Sequence, residues 1–335
     1  MSDEELLARR RARGRPAVPK VKKSWLRRAT RVFGDWFTAQ LMVLLFAFSR
    51  LLGPNLASLT GGAIARTIGP WIPISDTARA NLALAMPELS SRERNRIVRE
   101  VWDNLGRVAF EYPHLDRLYD FVTERFEPGR VEVDGIRYFQ SLMWDEKPAI
   151  ILTAHLANWE LPAVCGDRHG LPTTIIFRPP SNRFVAANLM DVRQGTMGRL
   201  LSKSQGAVIQ IAGAIEKGDH IGILIDQRFG AVQNATLFGQ PAATNTVVAR
   251  MARQFEMPVH GTRCIRLPGG RFRLEITPAL VLPRDDDGKI DVNQATQAIN
   301  GLIEDWVREY PGQWLWLHNR WALPKSKIKE LASRP

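Results

Sequence analysis

The chain has 335 residues, 45% of them hydrophobic and 24% charged. That composition excludes a disordered, collagen-like or coiled-coil chain and leaves room for one large domain or two modest ones. Its 46 Lys and Arg stand against 34 Asp and Glu, a formal net charge of +12 that points to an anionic partner. Residues 1–35 hold eleven basic residues (Arg9, Arg10, Arg11, Arg13, Arg15, Lys20, Lys22, Lys23, Arg27, Arg28 and Arg31) and four acidic ones, so this amino-terminal arm carries more than half of the surplus. The two cysteines, Cys165 and Cys264, are too few for a disulfide framework and have no Cys or His at metal-ligand spacing, so both read as buried thiols in a reducing compartment. No signal-peptide pattern opens the sequence, which points to a protein that is not secreted.

After the basic arm comes an uncharged run, residues 36–49. Fourteen helical residues rise roughly 21 Å against a hydrocarbon core of roughly 30 Å, too short for a clean span. Arg50 interrupts it, Gly53-Pro54 breaks the helix, and a second uncharged stretch continues to Ala65. Two short apolar segments joined by a breaker fit a re-entrant or monotopic attachment over residues 36–69, and basic residues before such a run gain about 1 kcal/mol each from anionic lipid. The bland alternative is a buried core helix.

Residues 75–110 read as helical, with Ser90 and Glu93 in a capping-box pattern and Ile97, Val101, Leu105 and Val108 at helical spacing. From residue 130 the texture changes to short β-rich runs alternating with helical stretches. Strands are expected at Val131–Val133, Ala149–Thr153, Thr173–Phe177, Ala207–Ile209, Ile221–Asp226, Val259–Ile265 and Phe272–Ile276, and helices near 136–145, 158–168, 183–202, 211–217, 245–256 and 293–309. Such alternation predicts an α/β fold with a central sheet flanked by helices, and the turn at Pro268-Gly269-Gly270 makes that sheet mixed. The expected catalytic domain runs from 70 to 325, followed by a tail at 326–335.

No nucleophile elbow, dinucleotide fingerprint, phosphate loop or zinc helix is found. The chemistry-bearing stretch is TAHLANWE, residues 153–160. The apolar strand ends at Thr153, so His155 falls in the turn beyond it, where α/β folds gather catalytic groups. Glu160 opens the next helix. Five residues apart on one helix the two side chains would point about 140° apart, so they meet only if His155 precedes the helix. A carboxylate paired with an imidazole fixes its tautomer and lets it take a proton from a hydroxyl. Spacing alone favours the bland reading, a satisfied histidine at a strand end and a first-turn carboxylate. Arg178, after the strand TTIIF, is a candidate anion contact, with Asn182 and Arg193 weaker candidates, and Asp226 and Gln227 emerge at the end of another apolar strand. The tryptophans Trp306, Trp314, Trp316 and Trp321 read as core or as a membrane-facing rim.

Taken together, AHLANWEL, FRPPSN (177–182), ILIDQ (223–227), LFGQPAAT (237–244) and WLWLHNRW (314–321) resemble, in order and spacing, the bacterial lipid A late acyltransferases of the lysophospholipid acyltransferase superfamily, over roughly residues 30–325. The resemblance implies a glycerolipid acyltransferase-like fold and His155 and Glu160 as a catalytic dyad. Its implied reaction is acyl transfer from an acyl carrier protein thioester to a hydroxyl of an anionic glucosamine-based lipid, at the cytoplasmic face of the inner membrane. It places Asp226 and Gln227 in the active-site region, with Asp226 organising neighbouring groups rather than moving protons, and Arg320 where it could meet a lipid phosphate. Here the sequence departs from the family's basic pair, because Asn319 stands in place of its first arginine, beside Arg320.

No cofactor or metal is expected, because neither cysteine lies in a ligand cluster and the six histidines are scattered. Two other readings keep parts of this picture: an acyl-CoA-dependent enzyme acting on another glycolipid or lysophospholipid, and a non-catalytic membrane-bound binding protein. Nucleic acid is disfavoured as a partner, since the basic excess lies beside an apolar run and no recognition motif accompanies it.

Overall fold

Gly53 leaves the helical region (φ 69°, ψ 165°) just before Pro54, and there the first helix kinks, two helical pieces meeting at the glycine. That helix, α1, runs Trp25–Ile68 in the computed structural model, which describes residues 25–121, 129–145, 147–202, 207–228 and 235–334. The arm up to Ser24 lies outside the described residues. The two expected apolar segments are thus two helical pieces that meet at the kink. Ala39, Ala57 and Ser58 are buried, whereas Phe33, Phe37, Leu41, Leu44, Leu51 and Leu59 are exposed. Over the segment Ala29–Trp71, long and apolar enough to cross a membrane, only 11% of the most apolar window is buried. The face is turned outward, which disposes of the core-helix alternative.

Helices α2 (Ser75–Ala85) and α3 (Ser91–Glu111) divide the stretch expected as one helix. The Ser90 hydroxyl accepts from Glu93 N, and the Glu93 carboxylate accepts from Ser90 N at 2.8 Å, which closes the capping box and starts α3. Ile97, Val101 and Val108 turn into the core. Gly61 of α1 and Gly106 of α3 touch backbone to backbone, and a Cβ on either would collide with the other's carbonyl. The short α4 (Leu115–Leu118) follows.

The remaining elements are β1 (Val131–Asp134), α5 (Ile136–Trp144), β2 (Ile150–Thr153), α6 (Leu161–Arg168), β3 (Thr173–Phe177), α7 (Arg183–Gln194), β4 (Arg199–Ser202), α8 (Ala207–Glu216), β5 (His220–Leu224), the hairpin β6 (Thr236–Leu237) and β7 (Gln240–Pro241), α9 (Val247–Phe255), β8 (Val259–Leu267), β9 (Arg271–Ile276), α10 (Val292–Glu309) and α11 (Lys325–Ala332). Among the described residues the sheet has seven strands in the order β1-β9-β8-β2-β5-β3-β4. The pairs are parallel except β8 with β9, which the Pro268-Gly269-Gly270 turn joins antiparallel. The mixed α/β sheet is as expected.

Two local expectations fail. Ala207–Ile209 opens α8 rather than forming a strand: Ile211, Ala214 and Ile215 reach the core while the β-branched Val208 and Ile209 are exposed, so tertiary packing overrides their strand propensity. The helix expected to 202 stops at Gln194, because Gly195 and the left-handed Gly198 break it and the chain re-enters the sheet as β4. The carboxyl-terminal tail folds as α11, with Leu331 buried against Ala80 and Ala83 of α2.

Candidate active site

Strands β2 and β5 are parallel neighbours with Thr153 opposite Leu224, and Ile225 N donates to Thr153 O at 3.2 Å. Two residues beyond that register lie His155 and Asp226, and they meet. His155 Nδ1 is 2.7 Å from Asp226 Oδ1, and His155 N donates to Asp226 Oδ2 at 2.9 Å. A carboxylate only accepts, so the proton sits on Nδ1 and Nε2 is left with its lone pair. Gln227 Nε2 stands 3.3 Å from that Nε2. Trp314 Nε1 donates to Asp226 Oδ2 at 2.7 Å, filling the carboxylate. Burial of Asp226 pushes its carboxyl up, but the His155 imidazole and the hydrogen bonds from His155 and Trp314 hold it below the usual carboxylate range.

The carboxylate bonded to His155 is therefore Asp226, not Glu160. Glu160 Oε1 instead accepts from Arg193 Nη2 at 2.6 Å and from Trp159 Nε1 at 3.1 Å. The reason is steric placement: Glu160 immediately precedes α6 and its side chain turns to Arg193 of α7, whereas the imidazole turns to the end of β5. Trp159 links the two pairs, its ring centroid 5.2 Å from that of His155.

The turn between them is tight and supported. Ala157 has left-handed backbone (φ 46°), an unfavourable conformation for a residue with a Cβ. The segment leading into Trp314 holds it: Ala157 N donates to Gln313 O at 3.0 Å and Leu315 N to His155 O at 3.2 Å. The WLWLH motif thus supplies both the wall behind the histidine loop and a donor to Asp226. Trp306, Trp314 and Trp316 are core residues, not a membrane rim.

Beside Trp159 a narrow apolar cavity of about 90 Å³ lies between the sheet and helices α5 and α6. Glu160 and Arg193 line it, as do Thr153, Phe177 and two glycines, Gly166 and Gly222. Among the described residues the Thr153 hydroxyl and Arg193 Nε are buried without a hydrogen-bond partner.

Among the described residues the other expected contacts make no hydrogen bond to His155 or Asp226. Arg178 is exposed on the loop after β3 and makes no ion pair among the described residues. Asn182 caps α7, accepting from Phe184 N at 3.0 Å and donating to Asp35 O of α1 at 2.8 Å. Arg320, expected to reach a lipid phosphate, is 1% exposed and donates to Ala243 O and Thr244 Oγ1, both at 2.8 Å. Burial pulls its guanidinium down to about 10, and it holds the LFGQPAAT segment in place. Among the described residues no group of three or more His, Cys, Asp or Glu could hold a metal ion.

The sheet, the imidazole at the carboxyl ends of its strands with a buried carboxylate, and the apolar cavity beyond Trp159 define a mixed α/β protein with a paired imidazole near an apolar site. The chain belongs to the family of bacterial lipid A biosynthesis acyltransferases, which matches residues 20–322. It is 26% identical over 304 residues to the lipid A biosynthesis palmitoleoyltransferase of Escherichia coli strain K12, covering 85% of this chain and 90% of that one. To the lauroyltransferase of the same strain it is 26% identical over 253 residues (72% and 76%), and to the myristoyltransferase 23% over 311 (90% of each).

Proposed function

We propose that the chain transfers a fatty acyl group from an acyl carrier protein thioester to a hydroxyl of a lipid A precursor. The observation that carries the mechanism is the His155 Nδ1 to Asp226 bond of 2.7 Å, which leaves Nε2 as the base. Nε2 takes the hydroxyl proton as the oxygen attacks the thioester carbonyl. The carbon–sulfur bond then breaks, and the imidazolium returns its proton to the departing thiolate. Asp226 stabilises the intervening imidazolium. General-base help of this kind is worth about 10² to 10⁴ in rate, so positioning and oxyanion stabilisation supply the rest. Arg193, held in the cavity lining by Glu160, is the cation that favours the oxyanion. The apolar cavity takes the acyl chain. The three relatives are named for different acyl groups, so membership of the family leaves the chain length open.

The exposed apolar face of α1 lies in the lipid surface, where the anionic acceptor resides, with the catalytic domain on the cytoplasmic side of the inner membrane. The test is transfer by purified protein in detergent, offering acyl carrier protein thioesters and the matching acyl-CoA to a tetraacylated lipid A precursor. The expected product carries one added acyl chain, forms faster from the carrier-protein donor, and is lost in His155→Ala. Preference for acyl-CoA would overturn the donor assignment, and full activity in His155→Ala would overturn the mechanism.

A further inference from the structure

The histidine loop is also held from behind, by a buried polar cluster none of whose members lines the cavity. At its centre is Glu111, the last residue of α3 and 1% exposed. Its carboxylate accepts from both terminal nitrogens of Arg266 on β8, from Ser58 Oγ at 2.5 Å and from Asn158 Nδ2 at 2.9 Å. Asn158 is fully buried, and its Oδ1 accepts from Glu160 N at 3.3 Å. A second arm runs from Arg266 Nε to Asn104 Oδ1 at 3.0 Å and from Asn104 Nδ2 to Ala157 O at 3.1 Å. Both arms end on the left-handed turn that separates His155 from Glu160.

Stability alone is a poor account of this cluster. Desolvating a carboxylate and a guanidinium offsets most of their attraction, and well-packed apolar side chains of similar volume often stabilise as much or more. What apolar packing cannot do is fix the direction of a strained turn through its amide and carbonyl groups. Burial pushes the Glu111 carboxyl up, but Arg266, Ser58 and Asn158 bring it below its ordinary value, so it is charged when the enzyme works. The third partner is the informative one. Ser58 belongs to α1, where Leu56 and Leu59 on either side of it are more than half exposed. The helix with the outward apolar face thus places a hydroxyl two hydrogen bonds from the catalytic loop.

We propose that Glu111 is a positioning residue for the acyl transfer, clamping the His155–Glu160 turn to α1 through Ser58 and Asn158, so that the seating of the apolar helix sets the geometry of the base. The inference rests on the reading of His155 as the base. It makes α1 part of the catalytic apparatus rather than a separable anchor.

The test compares full-length wild-type protein in detergent with Ser58→Ala, Ser58→Thr, Glu111→Gln and the Ser58→Ala/Glu111→Gln double variant. Each is assayed for transfer kinetics and thermal unfolding, and by nitrogen-15 NMR of the His155 ring, whose signal is assigned by its loss in His155→Ala. Ser58→Ala is expected to lower kcat three- to tenfold with donor KM changed less than twofold and little change in melting temperature. Its Nδ1–H signal should broaden or shift, and Ser58→Thr should restore both. Glu111→Gln should lower kcat at least tenfold, and the double variant should be no worse than Glu111→Gln alone. Wild-type kcat and an unmoved His155 signal in Ser58→Ala, or independent effects in the double variant, would overturn the clamp. Activity retained in His155→Ala overturns the base assignment instead, and the ring signal separates that outcome from failure of the clamp.

Discussion

His155 and Asp226 face one another because each lies two residues past the same rung of the β2–β5 ladder, the pair Thr153 and Leu224. Parallel neighbours deliver their carboxyl ends to one edge of a sheet, so side chains 71 residues apart in sequence arrive as a 2.7 Å contact. Asp226→Asn should keep the fold and much of the packing. An amide, however, can offer Nδ1 a donor as readily as an acceptor, which releases the tautomer and removes the countercharge for the imidazolium. The expected outcome is a fall in kcat of about 10² to 10⁴ with a far smaller change in donor KM, read by steady-state transfer kinetics.

Glu160 and Arg193 form a mostly buried pair, with side chains 7% and 16% exposed. Glu160→Gln leaves the guanidinium unpaired at the cavity wall, and removing one partner of such a pair costs about 3 to 5 kcal/mol. Glu160→Gln should therefore melt well below wild type, whereas Glu160→Leu/Arg193→Leu recovers most of that loss without recovering activity. A double variant as unstable as the single one would count against the pair's being the cause.

The sequence made the α/β class, the mixed sheet, the Ser90–Glu93 start of α3 and the strand-end position of His155 legible, because each rests on local periodicity or turn chemistry. The resemblance, not the spacing, made Glu160 the partner of that histidine, and the ladder register that joins His155 to Asp226 is invisible in a linear reading. Trp314 was legible only as an aromatic, since its role depends on an antiparallel bridge between its own segment and Leu156. Ser58, Asn104, Glu111 and Arg266 carry no motif at all. Their separation by up to 208 positions left no spacing to read, and only the buried cluster shows what they do. Arg320 read as a contact for a lipid phosphate for want of any sign that Thr244 would enclose it.

Asp226 and Glu111 both sit below their ordinary carboxylate range in the folded chain. At mildly acidic pH the unfolded chain takes up protons at these two positions before the folded chain does, so the stability they contribute is present above about pH 4 and is lost as the pH falls further. Denaturant midpoints at pH 7, 5, 4 and 3 should hold down to pH 5 and then drop, and Glu111→Gln should flatten the acid drop. An acid limb of equal steepness in the variant would remove Glu111 from the account.

A side chain at Gly222 would enter the apolar cavity. Its Cβ would stand 3.3 Å from Ile175 Cγ1 and 3.4 Å from Thr173 Cγ2, and all three residues line the same space. Gly222→Val should shift donor preference toward shorter acyl chains, measured by mass spectrometry of products from an equimolar mixture of thioesters of graded length. An unchanged product distribution in a folded Gly222→Val protein would place the acyl chain elsewhere.

A monotopic attachment is the outcome that the proposed donor and the proposed clamp together require. Eleven basic residues before Trp36 favour the cytoplasmic side, and a carrier-protein donor requires His155 to face that side too. A straight crossing by α1 would separate them. It would also draw Ser58, Gly61 and Gly62, which pack against α3 beside the catalytic loop, away from that contact. The kink at Gly53 lets the first part of the helix lie in the interface while the second stays docked on α3. High salt screens the lipid attraction of the basic residues but leaves the burial of Phe37, Leu41 and Leu44, so 1 M salt should fail to release the protein from inner-membrane vesicles whereas detergent should succeed. Cysteines introduced at Arg15 and Glu330 should react with an impermeant label from the same face of sealed vesicles. Reaction from opposite faces would establish a true span and undo either the topology or the donor.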